Sequence, residues 1–379
     1  MMDEVVSSFK DRFGHPPEAV VRAPGRVNLI GEHTDYNEGF VLPMAIDRAI
    51  WVAFRGRTDH RMVVYAREME QLSDIDLDNL DPGDRGWSRY LQGAAWAFRQ
   101  AGFGVVGWEG VLGGDIPLGA GLSSSGALEI AALRTLAFLT GIPLDVQTMA
   151  RLGQKAENEW VGVQCGIMDQ LVSAGGKEGM ALLIDCRSLE IQHRPLPMWT
   201  VVAILDTGTR RGLQDSAYNE RREECRRAAQ QLGVSSLREV SLEELLAASS
   251  RLEQVLLRRT RHVVTENERT LEAVQAMRMG DPQWLGRLMD GSHASLRDDF
   301  EVSSPELDSM VECARSHPSC FGARMTGAGF GGCAIALVDE SQAEDFTRHV
   351  SQDYLLRTGI APAIHMCKPS NGAEIIPLS

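Results

Sequence analysis

The chain has 379 residues, 44% of them hydrophobic and 24% charged, with 52 acidic against 38 basic side chains and a formal net charge of −14. That is a folded globular composition, long enough for two domains, and its acidic balance argues against a nucleic-acid backbone as partner, which would need clustered Lys and Arg. The seven cysteines are dispersed with no CxxC pair, which speaks against structural zinc or a redox motif, and no apolar run is long enough to span a bilayer.

Met1-Met2-Asp3-Glu4 carries acids and no apolar run, which argues against a signal peptide, so a cytoplasmic protein with reduced thiols is expected. Residues 20–22 and 39–53 read as strands, the latter rich in Val, Ile and Trp. Helical spacing follows over 87–101, then a short strand over 108–112 leads into a Gly-rich loop. Leu128 to Leu139 is apolar on nearly every side and predicts a buried helix; 146–160 predicts an amphipathic one. Residues 180–186 and 200–205 are β-rich apolar runs. From Ser216 the periodicity turns helical over 216–232, 242–257, 265–277, 283–292 and 305–316, with strands at 332–338 and 363–368. An α+β protein is expected, with mixed sheets, helices and a cleft between two domains. Pro195-Leu196-Pro197 marks a boundary that gives domains of 1–197 and 198–379.

Gly119-Ala120-Gly121-Leu122-Ser123-Ser124-Ser125 runs from a strand into the buried helix. The glycines allow positive φ and close approach of a ligand, and the serines fall where a helix N-terminus offers unpaired N–H groups. That combination suits a polyphosphate. It lacks the lysine of a Walker A loop, and Ser124 and Ser125 break the pattern of a hydrolase nucleophile elbow. An ordinary capped helix would not need so many glycines.

Upstream, Arg26, Glu32, His33, Thr34 and Asp35 crowd one polar stretch, PGRVNLIGEHTDYN. Its mixture of donors and acceptors suits a polyol. Glu32, His33 and Asp35 are also compatible with a metal, but adjacent residues chelate poorly from one face of a regular element.

With PGRVNLIGEHTDYNEGFVLPMAI at 24–46, PLGAGLSSSGALE at 117–129 and RMTGAGFGGC at 324–333 on the page, the chain resembles galactokinases. These belong to the superfamily that also holds homoserine, mevalonate and phosphomevalonate kinases. The resemblance extends through 165–190 and 292–308 and spans essentially the whole chain. It implies a two-domain sugar-kinase fold and ATP-dependent phosphorylation of galactose at the anomeric hydroxyl, with Mg2+ as cofactor. The implied partners are galactose and ATP, with no nucleic acid and no membrane; a monomer is compatible with the sequence, which leaves oligomeric state open.

By the same resemblance, Asp169 would be the general base, or chiefly a positioning group, and Arg26 would stabilise the transferring phosphoryl group. Glu32, His33, Thr34, Asp35, Gly166 and Tyr218 would contact the sugar, although a half-buried helix-start aromatic is the plain alternative for Tyr218. Ser125 and Glu157 would hold magnesium, as a hydroxyl and a carboxylate completed by nucleotide oxygens and water; the residues alone do not separate Glu157 from Glu159. Gly119 through Ser125 would carry the phosphates, with Arg210 adding charge nearby. Trp87 and Tyr90 would lie near the adenine, or be core. The glycines of 326–332 would form a second loop lining the cleft.

The stretch 205–212 departs from the Asn-Ser pair more often seen in the family, while Gly126 and Ala328 replace other small residues. The first leaves open a related kinase for N-acetylgalactosamine or arabinose. A silent galactose- and ATP-sensing regulator is the reading from another class.

Overall fold

A computed structural model of the chain describes residues 1–117, 121–209 and 214–378. A six-stranded sheet organises the first half, in the order Glu374–Pro377, Ala19–Asn28, Pro43–Gly56, Trp108–Gly114, Arg61–Ala66, Gln71–Asp76. Ala19–Asn28 and Pro43–Gly56 pair antiparallel, and the register breaks at Pro24/Arg26. That bulge re-aims the Arg26 side chain. The helices Ser88–Gln100, Ser124–Thr140 and Val146–Lys155 contribute to one core with this sheet, while Met2–Phe13 buries Val5 and Phe9 in a smaller cluster with Val20, Ala53 and Val111. Ser124–Thr140 is buried along most of its length, as its sequence predicts.

A second, antiparallel sheet takes Cys320–Met325, Cys333–Asp339, Thr200–Asp206 and Ala363–Cys367 in that order. The helices Gln214–Leu232, Gln254–Met279, Pro282–Asp298 and Pro305–Ser316 lie in this half. A small sheet of Phe40–Val41, Met180–Asp185 and Ile191–Pro195 stands beside the first. The last strand, Glu374–Pro377, returns from the helical half to pair with Ala19–Arg22. Among the described residues no helix is long and apolar enough to cross a membrane.

Two predicted helices are corrected. Residues 242–257 do not form one helix: Leu242–Ala248 ends in a 3-10 turn, Ser249–Arg251, and Leu252 turns extended and buried before Gln254–Met279 begins. The periodicity bridged the break because Leu252 is buried, as are Leu245 before it and Leu256 after it. Residues 146–160 hold an α-helix only to Lys155; Ala156–Val161 widens into a π-helical stretch, a local insertion often associated with function.

The Pro282–Asp298 helix packs on Cys320–Met325 backbone to backbone, where a Cβ at Gly286 would meet the Phe321 carbonyl oxygen at 1.9 Å. Gly286→Ala is therefore expected to destabilise the protein by about 1–3 kcal/mol. Gly291→Ala on the same helix, where a Cβ would meet only Arg269 Cδ at 3.6 Å, should stabilise it by up to about 1 kcal/mol. Urea unfolding of both variants, read at equal protein concentration, checks the opposite signs.

Candidate functional site

Arg26 leaves its bulge nearly buried and meets Asp169, in the first turn of the helix Met168–Gly175. Its Nε donates to Asp169 Oδ1 at 2.7 Å and its Nη2 to Oδ2 at 2.8 Å, a bidentate fork. Its Nη1 donates to the Gly121 carbonyl at 2.6 Å, and its backbone N–H to the Leu122 carbonyl at 3.1 Å. Burial disfavours the guanidinium charge, but Asp169 and Glu32 hold it firmly protonated. Ser123, left-handed at φ 62°, donates its hydroxyl to Asp169 Oδ2 at 2.7 Å. Gly126 makes room, since a Cβ there would come within 2.9 Å of Ser123 Oγ. Gly119 and Ala120 lie outside the described residues, as does Arg210.

Ser125 Oγ donates to Glu157 Oε1 at 3.1 Å. Glu157 sits in the π-helical stretch; burial, with Asp169 nearby, pushes its carboxyl up, a state that an added cation would relieve. A paired hydroxyl and carboxylate fit magnesium, which takes one or two protein ligands and completes its shell with phosphate and water. Among the described residues no group of three His, Cys, Asp or Glu could hold a metal by itself, so Glu32, His33 and Asp35 do not form a metal site.

Beside the serines, a pocket of about 210 Å³ is walled by Trp87, Tyr90, Ile50, Met69, Ile116 and Leu128, with Ser124 and Ser125 at its edge. Trp87 and Tyr90 are half-buried there, and Trp87 Nε1 donates to Gln71 at 3.1 Å. The apolar walls suit a flat aromatic base. Leu122 itself is buried in the core, so it can offer a ligand only its backbone.

On the other side of Asp169, Asp35 Oδ2 presses against Gly166, where a Cβ would lie 1.6 Å away. Only glycine permits that approach. Desolvation lifts the Asp35 carboxyl to about 6, with Asp169 adding to it. His33, left-handed at φ 60°, places Nδ1 2.8 Å from the Tyr36 hydroxyl and Nε2 3.2 Å from the Ala328 carbonyl. Burial, with His262 nearby, pushes it down to about 3, so it is neutral. Its ring lies 5.6 Å from that of Tyr218 and 4.8 Å from that of Phe300. Thr34 is fully buried and gives its hydroxyl to the Gly31 and Phe40 carbonyls, so its side chain braces the loop from within.

Glu32 is also committed internally. Its Oε2 accepts from Asn28 and from Arg324 Nη2, each at 2.9 Å, and its Oε1 accepts from the Gly327 N–H at 2.7 Å. Arg324, fully buried, also donates to the Asn28 carbonyl. From the helix Gln254–Met279, Glu266 Oε1 receives the N–H groups of Gly31 and Glu32, and His262 Nε2 lies 3.1 Å from the Glu32 carbonyl. Despite its burial, Arg269 alongside holds Glu266 down at about 2. The second glycine loop thus touches the signature, and at Gly327 a Cβ would lie 3.7 Å from the Gly121 carbonyl, facing the first glycine loop. The described part of 205–212 joins that second loop: Thr207 Oγ1 donates to the Gly332 carbonyl at 2.7 Å and the Gly332 N–H to Thr209 at 3.1 Å. Arg324, Glu266 and His262 were not singled out from sequence. Only Arg324 lay in a quoted motif, and nothing local distinguishes the other two from solvated helix charges.

Residues 7–56 match the galactokinase galactose-binding signature, 89–177 the GHMP kinases N terminal domain and 270–355 the GHMP kinases C terminal. A galactokinase from Roseiflexus sp. (strain RS-1) is 46% identical over 374 residues, 97% of this chain and 96% of its own length. The structure of Lactococcus lactis galactokinase complexed with galactose aligns with a TM-score of 0.94 at 36% identity, covering 97% of this chain and 98% of that one. Methanococcus jannaschii mevalonate kinase aligns at 0.67 and 19% identity, over 93% and 98% of the two chains, a likeness of fold.

Removing one member of a buried ion pair leaves the other charge uncompensated. Arg324→Met is expected to lower stability by about 3–5 kcal/mol. Adding Glu32→Gln should restore part of it, because the stranded charge is gone. Chemical denaturation of the single and double variants measures this; a loss under about 1 kcal/mol in Arg324→Met would mean the pair behaves as an exposed one.

Proposed function

The chain belongs to the galactokinase family, and we infer on that premise that it phosphorylates galactose at the anomeric hydroxyl with ATP, releasing galactose 1-phosphate and ADP. The observation that carries the reading is the Arg26–Asp169 fork standing between two unlike half-sites. On one side lie the apolar pocket and the helix start at Ser124; on the other, Asp35, His33, Gly166 and Tyr218.

Galactose lies against the second group, where Asp35 accepts hydrogen bonds from its hydroxyls and the Tyr218 and His33 rings flank it. The adenine takes the pocket of Trp87 and Tyr90, and the phosphates lie along the loop leading to Ser125. Ser125 and Glu157 would hold magnesium, which would neutralise charge on the phosphate oxygens. Asp169 orients the anomeric hydroxyl and receives its proton, while Arg26 balances charge on the moving phosphoryl group. The loose transition state of phosphoryl transfer asks little activation of the nucleophile. With both Asp169 oxygens already hydrogen-bonded, the proton moves as the new O–P bond forms rather than ahead of it. The meeting of Arg26, Asp169, Ser125 and Glu157 in one place supports catalysis over a purely sensing role.

Asp169→Asn keeps the shape but cannot take a proton, so kcat should fall by about 10²–10⁴-fold, the usual weight of a general base. ATP affinity by calorimetry should be nearly unchanged; loss of ATP binding instead would show that Asp169 belongs to the nucleotide site.

Because the free protein's Asp35 titrates near 6, kcat/KM for galactose should decline as pH falls through that value and the carboxylate becomes a neutral acid. Asp35→Asn should flatten that limb of the profile. The folded value lies above the unfolded one, so Asp35 favours folding below about pH 4, and that contribution is lost as pH rises through about 6.

A further inference from the structure

Behind the Ser125–Glu157 pair lies a line of buried polar groups with no part in the scheme above. Glu129, one turn after Ser125 on the same helix, is fully buried. Its Oε2 accepts from Gln170 Nε2 at 2.9 Å, and the same nitrogen donates to Glu157 Oε2 at 2.7 Å. Gln170, also fully buried, directly follows Asp169. One carboxamide, gripped by Glu129, therefore holds the rear oxygen of Glu157 while the other oxygen faces Ser125.

Glu129 Oε1 and Gln170 Oε1 are both buried and, among the described residues, have no donor. These are orphaned oxygens on the two partners of a single hydrogen bond, Gln170 Nε2 to Glu129 Oε2. Burial, with Glu157 adding to it, pushes the Glu129 carboxyl well above the usual carboxylate range, in keeping with a neutral acid. A carboxyl placed there for packing alone would cost more than the alkyl side chain it displaces.

We propose that Glu129 is a positioning residue for phosphoryl transfer: through Gln170 it sets the direction in which Glu157 presents its oxygen beside Ser125, and ties that direction to the helix carrying Asp169. The proposal rests on the reading of Ser125 and Glu157 as magnesium ligands. Groups that orient a ligating carboxylate are commonly worth about 10–100-fold in metal affinity or activity.

The test uses full-length Glu129→Met, Glu129→Gln and Gln170→Leu proteins, with Mn2+ binding to the ATP-loaded protein followed by electron paramagnetic resonance. Affinities for galactose and for metal-free ATP report whether the fold is intact. Glu129→Met should weaken Mn2+ binding and lower kcat by about tenfold or more, leaving the other two affinities in place. Glu129→Gln, whose amide both donates and accepts, should stay close to the parent protein. Gln170→Leu should match Glu129→Met, and the double variant should be no worse than either, as expected of one linear chain. Unchanged Mn2+ binding in Glu129→Met, equal damage in Glu129→Gln, or joint loss of galactose binding would each overturn the proposal. Glu157→Gln separates the premise: if Mn2+ binding survives it, the ligand assignment fails and the proposal falls with it, whatever Glu129 does.

Discussion

A guanidinium with almost no access to water is tolerable only where its charge and its donors are met, and the site is arranged around meeting those of Arg26. Three of its groups are used: two on Asp169 and one on the Gly121 carbonyl. Segments at 26, 121 and 169, far apart in the chain, are thereby locked to one another. A lysine could supply the charge but not the planar fork that sets all three at once. The same contacts that neutralise the arginine also place the Asp169 carboxylate beside Gly121, so folding and the assembly of these three segments are one event.

The second half of the chain completes that arrangement from behind. Arg324 and Gly327 hold Glu32, while Glu266 and His262 hold the backbone of Gly31 and Glu32. The signature loop is a seam between the two sheets, and most of its polar residues face the seam. Asp35, beyond it, is the carboxylate left to face Gly166 and the cleft. A family signature can thus be dense in charged residues although several of them bond within the protein, and those hold the loop in place.

This bears on what could be read from the residues alone. The buried helix at 124–140 and the strand at 43–56 were legible because their apolar patterns are long, and the two glycine loops because their composition has no cheaper explanation. The apolar run over 39–53 took in Phe40–Val41 and most of Pro43–Gly56. The strands Arg61–Ala66 and Gln71–Asp76 were missed: the first is a short apolar run of the kind that periodicity cannot assign, and the second lies at the edge of the sheet and carries Asp74 and Asp76. Asp169 stood out only through the family resemblance: 52 acidic residues look alike until the fold sets one against Arg26. Nothing local marked out Glu266 and Gln170, because the Gly31 backbone and the Glu129 carboxyl that they bind lie 235 and 41 residues away in sequence.

Backbone strain shows why so many of these contacts converge. His33, Ser123 and Phe330 are non-glycine residues in the left-handed region, at φ 60°, 62° and 61°. Such a conformation costs about 1–3 kcal/mol and persists where surrounding contacts over-determine it. Each here is held: His33 by Tyr36 and Ala328, Ser123 by Asp169, and Phe330 by the Val302 carbonyl. Glycine would relieve the strain at all three, but it could not supply the imidazole that bridges two loops or the hydroxyl that steadies Asp169. Phosphoryl transfer leaves the protein little covalent work, so its rate depends on holding donor and acceptor in line. Three strained turns, each fixed by a side chain that also touches the site or by the loop packed behind it, are a physical route to that rigidity. They place the cost of organisation in the folded protein before substrates arrive.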